Sequence, residues 1–383
     1  MNTKHLASIC VLLALACASR AGETIRVASV SPLSGSQAGL GEMVKLGAQL
    51  AVDEAKPRFA ELGIDLQFTP QDDQAQPDVG VAVARRLVND ASLLGIVGHF
   101  NSGVAIPSSE VYKDFNLVMV SPANTNPRVT ERRYGNVNRV CGRDDVQGPV
   151  GAEFAIKDLG AKKIFVMHDK TAYGQGVAEA FRDRAKELGA EVVGFVGTEE
   201  KSNFQTIILQ LKVLNPDFVY AGCIYDQAGV LLKQMREKGI AAKFLGPDGL
   251  DSSEFVKIAQ DAAVGAYYTS CAGPIDQYPA AGQFAKAFES KFKKLPESYA
   301  LYSYDAANVV LAALESVIKA GNGAVPSRQA VCEAVRKVDQ DGITGHIAFD
   351  DKGDRKVADY FVVQYKEAKY PGTMQKVISA AAP

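Results

Sequence analysis

Two apolar runs, LLGIVGH and NLVMVS, end abruptly on small polar groups within residues 93–125: Asn101, Ser102 and Gly103 follow the first, Ser121, Ala123 and Thr125 the second. Runs of this length read as buried strands, so hydroxyls open from both strand ends where charged or bulky residues are usual. Ser102 also precedes GVAIPSSEVYKDF, a helix-like stretch whose first amides point outward. Hydroxyl and N–H groups together make a site for an anion. Three further strand-like runs end comparably. Tyr173 follows KIFVMHD, Ile224 and Tyr225 follow DFVYAGC, and Asp248 ends KFLGPD. Each residue alone is equally well a helix cap or a turn former. In open α/β sheets, however, the ligand crevice lies outside the carboxyl ends of the strands, and five sets at that one place point to a cleft. Anion donors on one side, a single carboxylate on the other and the rings of Tyr173, Tyr225 and Tyr299 as walls suit a zwitterion with an apolar side chain.

Other chemistry fits less well. The loop SGSQAGLGEMVKLG offers Gly39 and Gly41 to a dinucleotide but has Val44 where the third glycine belongs, and no GxxxxGK[ST] occurs. There is no GxSxG elbow and no HExxH. His168-Asp169 lacks a second histidine nearby. Asp350, Asp351 and Asp354 lack the spacing and terminal glutamate of a calcium loop and read as a hairpin turn. No cofactor and no metal are expected. A secreted hydrolase acting through Ser102 or Ser121 would have only His99 or His168 as a base.

The elements that must position these groups alternate. Strand-like TIRVASVS, IDLQFTP, LLGIVGH, LVMVS, KIFVMHD, EVVGFVG, DFVYAGC, KFLGPD and AYYTS are separated by helix-like stretches such as PDVGVAVARRLVND and YGQGVAEAFRDRAKELG. In the latter, Val177, Phe181, Ala185 and Leu188 share one face. Alternation of this kind predicts parallel sheets covered on both faces. It runs twice, pausing at VNRVCGRDDVQG (137–148) and again near CAGPIDQYP, before two long helical stretches and a hairpin signal, HIAFDDKGDRK, leading into DYFVVQY. The reading is two Rossmann-like α/β domains with the chain passing between them more than once.

Composition sets the outer bounds. The chain has 383 residues, enough for two domains, with 47% hydrophobic and 22% charged residues. A net charge of -2 gives no reason to expect nucleic acid as a partner. MNTKHLASICVLLALACASRA combines a basic start, a short apolar stretch and a small-x-small site, so residues 1–22 read as a secretory signal and not as a membrane span. The residues before Cys17 make a poor lipobox, which disfavours a lipoprotein anchor. Cys141, Cys223, Cys271 and Cys332 remain after the signal, too dispersed for zinc, and allow three complete disulfide pairings.

At these same residues the sequence resembles the periplasmic leucine/isoleucine/valine-binding proteins, substrate receptors of branched-chain amino-acid ABC transporters. GHFNS, SPANTNP, HDKTAYGQG, DFVYAG, FLGPDG and FDDKGD carry the resemblance, which spans nearly the whole mature chain. It implies a type I periplasmic binding protein fold with a hinge of three crossings. The first lobe would be 23–143 plus 272–362, the second 144–271 plus 363–383. By motif, Ser102 and Thr125 would bind the ligand carboxylate, and the Ala123 carbonyl and Asp248 the ammonium. Tyr173 would close the cleft, with Tyr299 as an aromatic wall. The sequence departs from the family at four places. Asp248 stands where a glutamate is common, and Leu40 replaces a tyrosine of the first loop. The tyrosine expected after AGC falls at Ile224, with Tyr225 beside it, and Asn101 occupies one place of a cysteine pair. The implied protein is a monomeric, non-enzymatic periplasmic receptor delivering Leu, Ile or Val to an inner-membrane ABC permease. Another neutral or aromatic amino acid, an amide, or a signalling role are the alternatives. Cys141 and Cys271 fall near crossings and are candidates for a disulfide.

Overall fold

The computed structural model describes residues 23–383, so the expected signal peptide, with Cys10 and Cys17, lies outside the described residues. The first segment runs β1 (Glu23–Ser31), α1 (Ala38–Glu61), β2 (Ile64–Asp72), α2 (Pro77–Val88), β3 (Leu93–Gly98), α3 (Ser102–Asp114), β4 (Val118–Ser121) and β5 (Val137–Arg139). The second runs α4 (Asp144–Glu153), β6 (Lys163–His168), α5 (Ala172–Glu187), β7 (Glu191–Gly197), α6 (Gln205–Leu214) and β8 (Phe218–Gly222). It continues through α7 (Tyr225–Glu237), β9 (Lys243–Gly246), α8 (Ser253–Ala259) and β10 (Tyr267–Ser270). Then come α9 (Ala281–Phe292), α10 (Ser298–Ala320), α11 (Arg328–Arg336), β11 (Asp339–Gly342), β12 (Gly345–Ala348), β13 (Val357–Gln364) and β14 (Thr373–Ala381).

Two large sheets result. One is parallel with order β2-β1-β3-β4-β5, and the other has order β14-β13-β10-β9-β8-β6-β7. Strands buried on both faces need side chains for two cores, which is why they read as continuous apolar runs. In the first lobe Val27, Val97 and Val120 pack towards α1 and α10, while Ala28, Ile96 and Met119 pack towards α2 and α3. In the second, Ile164, Val166 and Tyr220 pack against Phe181 and Ala185 of α5. This is the two-domain α/β architecture expected, with one difference: β13 joins β10 antiparallel and carries β14 antiparallel beyond it.

That difference moves a boundary. Val357–Val362, expected in the first lobe, hydrogen-bond within the second sheet, so the third crossing comes before β13. The expected hairpin is reduced to a single bridge, Phe349 to Arg355, because β12 pairs with β11 instead. The turn itself is real. Asp350 Oδ1 accepts the amides of Lys352, Gly353 and Asp354, each at 2.9 Å. The aspartates that suggested calcium are thus spent on a turn and on ion pairs.

Asp354 ties the first and third crossings together. Its carboxylate meets Arg139 Nε at 2.5 Å and Arg143 Nη1 at 2.6 Å, and all three side chains are buried. Arg139 also donates to the Asn124 and Asn126 carbonyls at 2.9 and 3.0 Å, which fixes the SPANTNP loop. Burial pushes the Asp354 carboxyl up, but the two guanidiniums outweigh it and hold it below its ordinary 3.8. A depressed carboxylate stabilises the fold above its unfolded pKa and loses that contribution as pH falls through the folded one. Asp354→Asn should therefore lower the unfolding free energy by about 3–5 kcal/mol at neutral pH. The gap to wild type should narrow as pH falls below 3.8 and close once it has passed through the depressed folded pKa. Paired denaturant titrations at neutral and acid pH check this; equal stability at neutral pH would contradict it.

Candidate functional site

The order of each sheet creates a crevice where consecutive strands send their connections in opposite directions. In the first lobe that point lies between β1 and β3, and in the second between β6 and β8. Ser102 stands at the start of α3, which follows β3, and Tyr173 lies in the first turn of α5, which follows β6. Ile224 and Tyr225 begin α7 after β8, and Asp248 opens the short helical turn after β9. Gly41 permits the tight entry into α1: a Cβ there would lie 1.7 Å from the Pro32 carbonyl oxygen. The Gly39–Gly41 pair therefore serves close packing.

Asp248 is the centre. It is 2% exposed. Its Oδ1 accepts from the Tyr173 hydroxyl at 2.6 Å and Gln147 Nε2 at 3.0 Å, and its Oδ2 accepts from the Tyr299 hydroxyl at 2.5 Å. Tyr299 belongs to α10 of the first lobe, so that last bond spans the two lobes. Burial raises the Asp248 pKa, and hydrogen bonds from Tyr173, Tyr299 and Gln147 pull it part of the way back. Tyr173 in turn accepts the Gly249 amide at 2.8 Å, and Tyr299 meets Phe100 edge to face at 5.2 Å.

Phe100, Asn101, Ala123, Tyr173, Ile224, Asp248, Gly249 and Tyr299 enclose one cavity of about 10 Å³. That is room for about one water, so the lobes and rings must part to admit an amino acid. Ser102 Oγ accepts the Asn126 amide at 3.3 Å, whereas the buried Thr125 Oγ1 has no hydrogen-bond partner among the described residues. At the rim, Tyr225 donates to the Ser36 carbonyl at 2.7 Å, Ser36 Oγ to Asp226 at 2.6 Å, and Asn126 Nδ2 to the Ala172 carbonyl at 2.6 Å. These bonds also join the lobes.

Of the residues singled out from sequence, Ala123, Tyr173, Ile224, Asp248 and Tyr299 line the cavity. Leu40 is buried in the first-lobe core and does not line it, while Tyr225 is a rim contact. Sequence reasoning missed Phe100, Gly249 and Gln147. Gln147 stands one turn into α4, within the VNRVCGRDDVQG pause; the helical spacing of Asp144 and Gln147 was the available signal. The Cys141–Cys271 disulfide does not form. All four described cysteines are buried free thiols, with Cys141 Sγ directed to the Asn124 carbonyl and Cys271 Sγ to Gln147 Oε1. His99 is held by Asp73 at 2.8 Å and Tyr112 at 3.1 Å, and His168 Nδ1 accepts the Lys170 amide. Ser121 Oγ accepts the Ala123 and Asn124 amides. Neither histidine is hydrogen-bonded to Ser102 or Ser121.

Comparison with known proteins agrees with this geometry. The profile of the periplasmic binding protein family matches residues 24–370. The Leu/Ile/Val-binding protein homolog 2 of Brucella abortus is 33% identical over 374 residues, covering 96% of this chain and 98% of the relative. The leucine-, isoleucine-, valine-, threonine-, and alanine-binding protein of Pseudomonas aeruginosa is 33% identical over 348 residues, covering 91% of each. Among solved structures, a leucine-binding protein of Thermotoga maritima superposes with a TM-score of 0.84 at 27% identity, covering 92% of this chain and 98% of its own. With the profile spanning most of the sequence and relatives a third identical along nearly their whole length, the chain belongs to the periplasmic binding protein family.

Proposed function

We propose that this protein is a periplasmic receptor that binds a free amino acid, foremost Leu, Ile or Val, between its lobes and delivers it to an inner-membrane ABC permease. The observation that carries the reading is Asp248, a buried acid ringed by hydroxyl and amide donors at the crevice where the two lobes meet. A ligand ammonium can replace those donors with a full opposite charge. The names of the Brucella and Pseudomonas relatives and of the Thermotoga structure support the ligand class.

Ser102 and Thr125 take the ligand carboxylate in this reading; the unpartnered Thr125 hydroxyl beside the N-terminus of α3 supports it. The Ala123 carbonyl and Asp248 take the ammonium. Tyr173, Ile224 and Tyr299 wall the side chain and Tyr225 closes the rim, while Leu40 belongs to the first-lobe core. The receptor works as a monomer without cofactor and catalyses nothing; the engagement of His99 by Asp73 and Tyr112, and of His168 by the Lys170 amide, with neither bonded to Ser102 or Ser121, supports the last point. Export to the periplasm accords with the family and with the amino-terminal signal, and no described helix is long and apolar enough to cross a membrane. A second reading, a smaller neutral amino acid, has one specific support: the Pseudomonas relative is named for threonine and alanine as well.

A panel of the twenty amino acids in thermal-shift measurements tests the class. Leu, Ile and Val should give the largest stabilisation; shifts with threonine or alanine alone would favour the second reading, and none at all would contradict both. One methylene is worth about 0.8 kcal/mol, roughly fourfold in affinity, so the three branched ligands should lie within about an order of magnitude by calorimetry. Asp248→Asn should cost about 2–5 kcal/mol of binding. Leu40→Ala should cost far less, and equal losses in calorimetry would refute the ammonium assignment.

A further inference from the structure

A second buried acid lies near enough to Asp248 for the two carboxyls to repel one another. Asp144, the first residue of α4, is 1% exposed, and neither of its carboxyl oxygens meets a hydrogen-bond partner among the described residues. Its backbone amide donates to the Thr125 carbonyl at 2.9 Å. The Thr125 hydroxyl lies close enough to favour the ionised carboxyl, yet the two do not reach hydrogen-bonding geometry. One turn along the same helix, Gln147 donates to Asp248. Asp144 and Gln147, three residues apart, share one face of α4, and neither lines the closed cavity itself.

An unpaired carboxylate this deeply buried is among the costliest groups a fold can carry. Its surroundings give it little relief. Burial raises its pKa well above 3.8, the neighbouring Asp248 raises it further, and Thr125 and Arg139 only partly offset them. Arg139 is already committed to Asp354, and Asp145 adjoins with its own partner, Arg143. The remaining titratable groups that feel Asp144 are Tyr173, Tyr220, Cys141 and Cys271, whose own pKa values are all raised, so they stay neutral. Two buried acids thus lie close to one another, and the arginines nearest Asp144 are committed to other carboxylates.

We propose that Asp144 is a second ligand-binding acid of the cleft, which takes the ligand's ammonium jointly with Asp248, so that binding expels a proton held by the pair. This rests on the amino-acid reading above and deepens it. The balance is simple: the free protein holds a proton on one of the two carboxyls, the ligand arrives with a protonated amine, and the displaced proton leaves to solvent. Affinity then rises with pH until the free pair has lost that proton unaided, because proton and ligand compete. The second acid also selects against ligands with a carboxylate and no amine, which would meet two negative groups and bring nothing to neutralise them.

Calorimetry with leucine, isoleucine or valine in buffers of different ionisation enthalpy tests this. In wild type the binding heat should vary with the buffer in the sense of proton release. Asp144→Asn should abolish that variation and weaken binding by about thirty-fold or more, while Asp145→Asn, its neighbour, should change neither. The ligand-free Asp144→Asn protein should unfold no earlier than wild type, since it loses an unpaired buried acid; a residue kept for the fold would give the opposite sign. If wild type binds none of the three, the amino-acid reading fails first. If wild type binds with buffer-independent heat, or Asp144→Asn binds as tightly as wild type, Asp144 is not a ligand acid and the amino-acid reading stands.

Discussion

A carboxylate removed from water must be met by a cation, by donors, or by a proton, and this structure answers that constraint in four ways along one chain. Asp354 has two guanidiniums and stays ionised. Asp251 has Ser270, Tyr268 and Tyr370 hydroxyls around it, yet burial still pushes it up to about 7. Asp248 has two tyrosine hydroxyls and an amide. Asp144 has nothing. The better an acid is satisfied by the fold, the more structural its part. The less satisfied acids mark where something from outside must complete the electrostatics.

The fold divides those duties by position. The ion-paired acid joins two of the stretches where the chain crosses between lobes. Asp248 lies just beyond the carboxyl end of β9, where sheet order opens a crevice, and Asp144 opens α4 next to Arg143 on the first crossing. Arg139 links the two regions, since the guanidinium that meets Asp354 also holds the Asn124 and Asn126 carbonyls. The loop carrying Ala123 and Thr125 is thereby fixed to the hinge. Rim bonds through Ser36, Tyr225, Asp226 and Asn126 add modest, exchangeable closure energy. Contacts of that kind suit a protein that must open to load and release.

Much of this was legible in the primary structure. The apolar runs located the strands of the parallel sheets except β5, whose three residues fall in the stretch read as a pause, because such strands are buried on both faces; the residues just beyond them located much of the cavity wall. Where the reading failed, the missing information was non-local. DYFVVQY reads as the second arm of a hairpin, and nothing local says that β13 abandons β12 to pair with β10 in the other lobe. Cys141 and Cys271 lie near crossings in sequence, yet each thiol is directed to its own acceptor. Leu40 occupies a position aligned with the site, but its side chain belongs to the core.

The succession of strands and helices, the helix faces, the absence of catalytic and metal motifs, and the residues at the strand ends are all carried by periodicity and local chemistry, so the sequence alone determined them. Which carboxylates would be left unsatisfied was decided only by the tertiary structure. Asp144, Asp248 and Asp354 are the same residue type at similar-looking positions. Their differences arise from groups distant in the chain: two arginines for one, tyrosines from both lobes for another, none for the third. Solvation is a property of the assembled surroundings, and no window of sequence contains them.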